Sequence, residues 1–557
     1  MKKPAMKKTV ALRRRGRSAA VVLLAGGLAV AVVACGGSPT VSSKSSAASA
    51  GPGAADASAG KPVYGGTLTA AIPSDPTTLD WGINTDALTI DIAQNVFELL
   101  FAPDKSFVVR PMLATGYTVS ADQKTYTISL RQGVKFQNGQ TMTSADVVAS
   151  MQRWFLVSGS GLGVKKAVTS LSADGPGKVV VQLSKPQYSF IKDLASFLQP
   201  CIILPASIAK AAGTKTLTDS QIIGTGPYEL SKYVHGQYIE LKKFAGYSAR
   251  TENWGGLAGK KVAYIPNLIF KIVADDTVRL DGIETSQWQF AATLQDDDYN
   301  QIQQRSSSTV AQPEAGSLIE YLLINQATAP FNNLKAREAL NMVISKTAIA
   351  QATLGPANLW TPLSGAMALP DNTPMYSTAG SSVYSDYNPK QAKALFAAAG
   401  VTSSTPITIL STQTYPNYYA MAQTIQSELK QIGITVNIQT YDFPTMISKL
   451  SLQPKSWNLS MTSFAGEPLD PEQVLFLTST WPGGYSSSAM TAALAQYEAS
   501  GSATAAKAAV DKIQGLVWSE LPDIGIGKQI LLDASSPKLK DYEDFIGQGF
   551  WNAYLAK

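Results

Sequence analysis

The sequence predicts an α/β protein of more than one lobe, and three observations carry that prediction. Length is the first: of 557 residues, the roughly five hundred that follow a low-complexity N-terminal stretch exceed what one hydrophobic core supports. The second is a β-α-β pattern between Ile407 and Thr440. Ile407-Thr408-Ile409-Leu410 reads as a strand, Tyr418 to Ile432 places Met421, Ile425, Leu429 and Ile432 on one helical face, and Ile434, Val436 and Ile438 alternate. A crossover of that length makes the two strands parallel, so ligands are expected at loops beyond the strand ends. The third is that strand and helix signals mix along the rest of the chain, with no internal repeat.

The N-terminal stretch comes first in the chain and has its own logic. Lys2, Lys3, Lys7, Lys8, Arg13, Arg14, Arg15 and Arg17 precede an uncharged apolar run from Ala19 to Ala34, the order of a secretion signal. That run is short and rich in Ala and Gly for a membrane span. It ends in Val32-Val33-Ala34-Cys35, which resembles a bacterial lipobox and makes Cys35 the expected lipid attachment site. Residues 36–60 are almost all Gly, Ser, Ala, Pro and Thr, a composition that cannot bury a core and is expected to act as a tether.

Several function classes fall away on composition. Eight basic and no acidic residues precede Cys35, leaving 38 basic and 40 acidic side chains and a net charge of about −2. No basic stripe remains to follow a nucleic-acid backbone, so no nucleic-acid partner is expected. His235 is the only histidine and Cys201 the only cysteine after Cys35. A histidine-based nucleophilic site or a zinc cluster would have to be built around that one side chain, so neither catalysis, a metal nor a cofactor is expected. Tyr233-Val234-His235-Gly236-Gln237 reads as a turn between strands, and the apolar setting of Cys201 as a buried thiol.

Local elements are legible further along. Tyr117 to Val119 and Thr125 to Leu130 are β-rich runs around the turn composition Ser120 to Lys124, a hairpin. Thr143-Ser144-Ala145-Asp146 reads as a capping box opening a helix with Val147, Val148, Met151 and Phe155 on one face. A second helix is bracketed by Asn388 as N-cap, Pro389 at its first position and Gly400 as its stop. Gly224-Thr225-Gly226-Pro227-Tyr228 lacks the ending of a phosphate loop and leads into a strand, so it is read as a crossing between lobes.

From Gly65 to the C-terminus these motifs resemble the bacterial extracellular solute-binding proteins of the peptide/nickel-binding family. The resemblance rests on Gly65-Gly66-Thr67-Leu68 with Pro76-Thr77-Thr78-Leu79-Asp80, and on Leu130 to Gly139 with Thr143 to Ser150. Further along, it rests on Gly224 to Tyr228, Leu323-Ile324-Asn325, Arg337 to Leu340, Tyr387-Asn388-Pro389 and Leu429 to Ile434. It implies a two-lobed, periplasmic-binding-protein-like fold of type II with an extra subdomain in one lobe. The expected division is a signal peptide over 1–34 and a tether over 35–60. A first lobe follows over 61–97, 224–317 and 510–557, with the extra subdomain over 98–223 and a second lobe over 318–509.

The resemblance also implies a function: a monomeric receptor outside the cell, tethered to the membrane by its lipid, that closes over a peptide and delivers it to the permease and ATPase of an ABC importer. Burying a peptide's ammonium requires a partner for it. By match to Phe464-Ala465-Gly466-Glu467-Pro468-Leu469-Asp470-Pro471, that partner is Glu467, with Asp470 as second choice. A carboxylate at contact distance gains about 4 kcal/mol of Coulomb energy at an effective dielectric near 20, before desolvation is subtracted. Phe464 is expected as a wall residue. Trp81, Trp360, Trp481 and Tyr485, all in loop-like contexts, are candidates for stacking, and Asn84 and Thr85 for hydrogen bonds to a ligand backbone. Two departures stand out: Ser345 replaces the family's usual Asp, and Asp281 to Ala292 matches poorly. No Arg is assigned to a peptide carboxylate, which leaves oligosaccharides and metal chelates open as ligands. From another class, a surface hydrolase using Glu467 and Asp470 is the alternative.

Overall fold

Two separate sheets organise the chain in the computed structural model, which describes residues 61–557 apart from 297, 305–308, 314–317, 372, 466–467 and 478–480. The first has seven strands in the spatial order Val310–Pro313, Leu532–Ser535, Phe290–Leu294, Thr67–Ile72, Asn267–Ile272, Tyr238–Lys243 and Tyr228–Val234. Thr67–Ile72 lies at its centre, parallel to the strands on either side. Period-two alternation decides which face each side chain takes. Leu68, Ala70 and Ile72 enter the large core, whereas Ala71 joins a smaller cluster with Leu280, Ile283 and Trp288 on the opposite face.

The second sheet has six strands in the order Trp360–Thr361, Asp523–Gln529, Leu318–Ile324, Leu459–Ala465, Ile407–Thr412 and Val436–Tyr441. Ile407–Thr412 and Val436–Tyr441 are parallel and joined by the helix Pro416–Gln431, as the sequence pattern requires. Met421, Ile425 and Leu429 are buried on the sheet. Gly433 stops the crossover at φ +88°, a conformation that costs a residue with a Cβ.

A four-stranded antiparallel sheet, ordered Ala114–Val119, Thr125–Leu130, Lys178–Leu183 and Val168–Ala173, sits against the first sheet. Its Tyr126, Ile128, Val179 and Val181 share one continuous core with Leu68, Leu268 and Phe270. The helix Ser144–Val157 covers it and is opened by the expected capping box: the Thr143 N–H donates to Asp146 Oδ2 at 2.8 Å. The crossing motif is explained by backbone contact. A Cβ on Gly224 would lie 2.2 Å from the Val96 carbonyl oxygen, and one on Gly226 would lie 2.7 Å from that of Asn95.

The chain passes from the first sheet to the second between Pro313 and Leu318 and returns between Gln529 and Leu532. This corrects the expected boundary at residues 509 and 510. The helix Ala503–Glu520 packs in the apolar layer on the second sheet, and Asp523–Gln529 pairs beside its central strand. The strand's placement depends on non-local pairing that no local signal announces. Ser345 has a local role where the family has Asp: its hydroxyl accepts the Ala348 N–H at 3.2 Å and caps the helix Lys346–Thr353.

Candidate functional site

A cavity of about 650 Å³ lies between the two halves. One wall comes from Thr85, the helix Gly159–Lys165 and the segment from Lys185 to Gln199. The other comes from the second sheet through Ile319, Tyr321 and Phe464, then from the turn Pro468 to Phe476, and from Glu498 at the end of the helix Ser488–Glu498. Phe464 is fixed as wall by its neighbours, with ring centroids 5.5 Å from Tyr321 and 5.2 Å from Trp481. Apolar surface of this kind with a few converging polar groups is how small solutes are usually held.

Among the charged groups that line it, acids outnumber bases. Asp193, Glu472 and Glu498 all line the cavity. Asp193 Oδ2 accepts from Ser189 Oγ at 2.8 Å and from Gln187 Nε2 at 2.9 Å. Glu498 Oε2 accepts from the Ser189 N–H at 3.4 Å, while its Oε1 has no hydrogen-bond partner. Asp470 stands behind them, fully buried, its Oδ1 accepting the Glu472 N–H at 2.9 Å and its Oδ2 unpartnered. Lys192 donates to Tyr497 Oη at 2.7 Å and lies 5.3 Å from the ring centres of Tyr188 and Tyr497.

Burial, with neighbouring carboxyls second, pushes this cluster toward protonation. The Asp193 carboxyl is held well above its ordinary range by burial and by Asp470. Glu472 is raised to about 7 by burial and then by Asp470 and Asp193. Glu498 is raised to about 8 by burial and then by Asp470 and Glu472. Burial also raises Asp470, with Lys192 opposing it. Among the described residues the basic side chains lining the cavity are Lys166 and Lys185, and no Arg is among them.

The expected site residues divide clearly. Phe464 and Thr85 line the cavity. Glu467 lies outside the described residues, as does Cys35. Asp470 is a buried cap on the turn Pro471–Gln473 and does not itself line the cavity. Asn84 is spent on its own loop: its amide donates to Thr77 Oγ1 at 2.6 Å and Thr89 Oγ1 at 3.0 Å.

The other aromatics are corrections. Trp81 is 1% exposed and its indole N–H donates to the Phe197 carbonyl at 2.9 Å, so it props the wall from behind. Trp360 is buried in an edge strand of the second sheet. Trp481 backs Phe464 and donates to Asp523 Oδ2 at 3.1 Å. Tyr485 is buried and bonded to Glu520. Trp81, Trp360 and Tyr485 sit in loop or edge contexts that cross the core and are buried there, while Trp481 is half-buried behind Phe464.

Sequence reasoning missed Asp193, Glu472 and Glu498. Glu472 carried a usable signal, since it follows the quoted Asp470-Pro471 directly. Asp193 and Glu498 carried none, because 309 positions separate Ser189 from the Glu498 it binds. A second cavity of about 840 Å³ is lined by Phe101, Tyr117, Tyr126, Tyr188, Met375 and Leu469 among others, and among the described residues Lys192 is its one charged lining group. His235 lies in the turn between Tyr228–Val234 and Tyr238–Lys243, as expected, 3.2 Å from Asp219.

Known proteins share the sequence family and the fold of this chain. The description "Bacterial extracellular solute-binding proteins, family 5 Middle" matches residues 108–486, more than half of the chain. The glutathione-binding protein GsiB of Salmonella typhi is 28% identical over 506 residues, covering 86% of this chain and 91% of its own length. GsiB of Escherichia coli strain K12 is also 28% identical, over 509 residues with the same coverage. Among solved structures, the ABC transporter-associated periplasmic binding protein DppA from Helicobacter pylori, in complex with peptide STSA, superposes with a TM-score of 0.72 at 21% identity over 89% of this chain and 99% of that one. The substrate-binding protein CtaP of Listeria monocytogenes superposes at 0.75 and 20% identity over 89% and 100%. The two-lobed type II binding-protein fold is therefore that of these structures. The chain belongs to the bacterial extracellular solute-binding proteins of family 5, the receptors of ABC importers rather than enzymes.

Proposed function

We propose that this receptor captures peptide-type solutes between its two halves and passes them unchanged to a permease and ATPase. The observation that carries the reading is the cavity itself, with Phe464 as an aromatic wall, Lys166 and Lys185 as cations, and Asp193, Glu472 and Glu498 as acids. A zwitterion needs both signs of partner once water is expelled. Glu467 is assigned the α-ammonium and Thr85 a bond to the ligand backbone. Lys166 and Lys185 are assigned the terminal carboxylate, in place of the Arg that the sequence does not supply. The relatives named for glutathione and the DppA complex with STSA point to the same class of solute. Attachment through a lipid on Cys35, a tether over 35–60 and a monomeric state complete the proposal. Among the described residues no helix is long and apolar enough to cross a membrane.

Purified protein incubated with di- to tetrapeptides, cello-oligosaccharides and nickel-histidine tests it. Thermal stabilisation by peptides with no new product in mass spectra is the expected result. Stabilisation by sugars or the chelate alone, or turnover of any probe, overturns it.

A further inference from the structure

The cavity has more carboxyl groups than a peptide's single ammonium requires. Asp193 reaches it from the segment Lys185 to Gln199, and Glu472 and Glu498 reach it from the side of the second sheet. Among the described residues none of these three carboxyls forms an ion pair. The other charged groups nearby are few. Lys192, engaged with Tyr497 Oη, interacts electrostatically with Asp470 first and then with Asp193 and Glu498, and Lys185 acts on Glu472 only as a minor influence. Glu498 is 8% exposed, lines the cavity and leaves Oε1 without a hydrogen-bond partner. Like-charged carboxylates drawn together by closure oppose it unless protons or a cation come between them. Among the described residues no three acidic or sulfur and imidazole side chains converge as metal ligands. The cation that fits is therefore an organic one, whose several N–H donors can reach acceptors on two walls at once.

We propose that Asp193, Glu472 and Glu498 form a seat for a second, cationic group of the ligand, so that this receptor selects peptides carrying a Lys- or Arg-like side chain. The proposal rests on the peptide-receptor reading for its ligand class but not for its charge chemistry. The seat differs in task from Glu467, to which the α-ammonium is assigned, and the two act together on a ligand with two positive charges. Closing around such a ligand neutralises the wall, whereas a neutral or acidic peptide leaves carboxyls facing one another. Charge then decides which peptide the closed form accepts.

Calorimetric titration with Ala-Ala-Ala, Ala-Lys-Ala, Ala-Glu-Ala, reduced glutathione and 1,5-diaminopentane tests this on the intact protein. Ala-Lys-Ala is expected to bind about tenfold or more tightly than Ala-Ala-Ala, and Ala-Glu-Ala and glutathione more weakly still. In Glu498→Gln and in Asp193→Asn the ratio of the affinities for Ala-Lys-Ala and Ala-Ala-Ala falls toward one. Equal affinity for the three tripeptides, or tightest binding of glutathione, overturns the seat and leaves the peptide reading standing. Equal losses for Ala-Lys-Ala and Ala-Ala-Ala in both variants also overturn it, because the wall would then hold the α-ammonium. Binding of diaminopentane without any peptide supports the seat and sinks the peptide reading. No binding of any probe overturns both. The comparison among ligands on the unmodified protein stands even if a variant fails to fold.

Discussion

Asp193 and Glu498, on opposite walls of the cavity, are held by the same residue: Ser189 donates its hydroxyl to one at 2.8 Å and its backbone N–H to the other at 3.4 Å. Two carboxyls with a shared donor cannot both be ionised cheaply where burial limits their solvation. Burial accordingly raises both, Glu498 to about 8. A carboxyl raised on folding lends stability that is complete below its unfolded value, near 4.5, and is lost as pH climbs through its folded value. The ligand-free protein should therefore lose stability between pH 5 and pH 8.5. In Glu498→Gln that loss should be smaller by about 2 kcal/mol, the full shift being shared with neighbours that ionise in turn. Urea unfolding at the two pH values reads the difference. An identical loss in variant and parent would show that Glu498 does not hold the proton.

Glu320 offers a cleaner case, because it titrates away from any ligand. It is fully buried in the central strand of the second sheet, neither carboxyl oxygen has a hydrogen-bond partner, and burial raises it to about 8. Ionising it in the fold costs on the order of 4 kcal/mol relative to the unfolded chain. Glu320→Met removes both the charge and the unsatisfied oxygens. Stability at pH 5 should change by less than about 1.5 kcal/mol, whereas at pH 9 the variant should be the more stable protein. Greater stability of the parent at pH 9 would mean that Glu320 has a use for its charge.

The loop that carries Trp81 and Thr85 is pinned from below. Asp80 accepts from Arg153 Nη2 at 2.5 Å and from the Leu217 N–H at 3.0 Å, with both side chains of the ion pair almost wholly buried. Removing one partner strands the other charge, which usually costs 3–5 kcal/mol, while removing both costs less than the sum. Asp80→Ala should lower the chemical midpoint of unfolding strongly, and Asp80→Ala with Arg153→Met should recover part of the loss. Strict additivity of the two changes would show that the pair is not coupled.

What the sequence made legible was local. The Thr143 to Asp146 box, the helix opened by Asn388 and Pro389, and the parallel pair around Pro416–Gln431 all read correctly, because cap, face and stop lie within a few turns of one another. Phe464, suggested by the family's motif, and Thr85, suggested by its loop, both line the cavity. The acids Asp193 and Glu498 were invisible because they meet only after the chain has built both sheets. Trp81 and Tyr485 misled for the converse reason: an aromatic in a loop looks available until the fold supplies the Phe197 carbonyl or Glu520 to occupy its polar atom. Asp523–Gln529 was assigned to the wrong lobe because strand pairing is chosen by partners, not by neighbours in sequence.

The segment from Phe464 to Glu467 gives the last prediction, since its two ends are assigned different tasks. Phe464 contributes flat apolar surface, so Phe464→Ala should weaken all peptides alike, by about tenfold to a hundredfold, as expected for losing a buried aromatic contact. Glu467 contributes charge, so Glu467→Gln should weaken Ala-Ala-Ala much more than N-acetyl-Ala-Ala-Ala, whose amine is blocked. Paired titrations of both peptides against both variants separate these effects. A Glu467→Gln variant that loses equal affinity for the two peptides does not anchor the amine, and that task would pass to the acids on the facing walls.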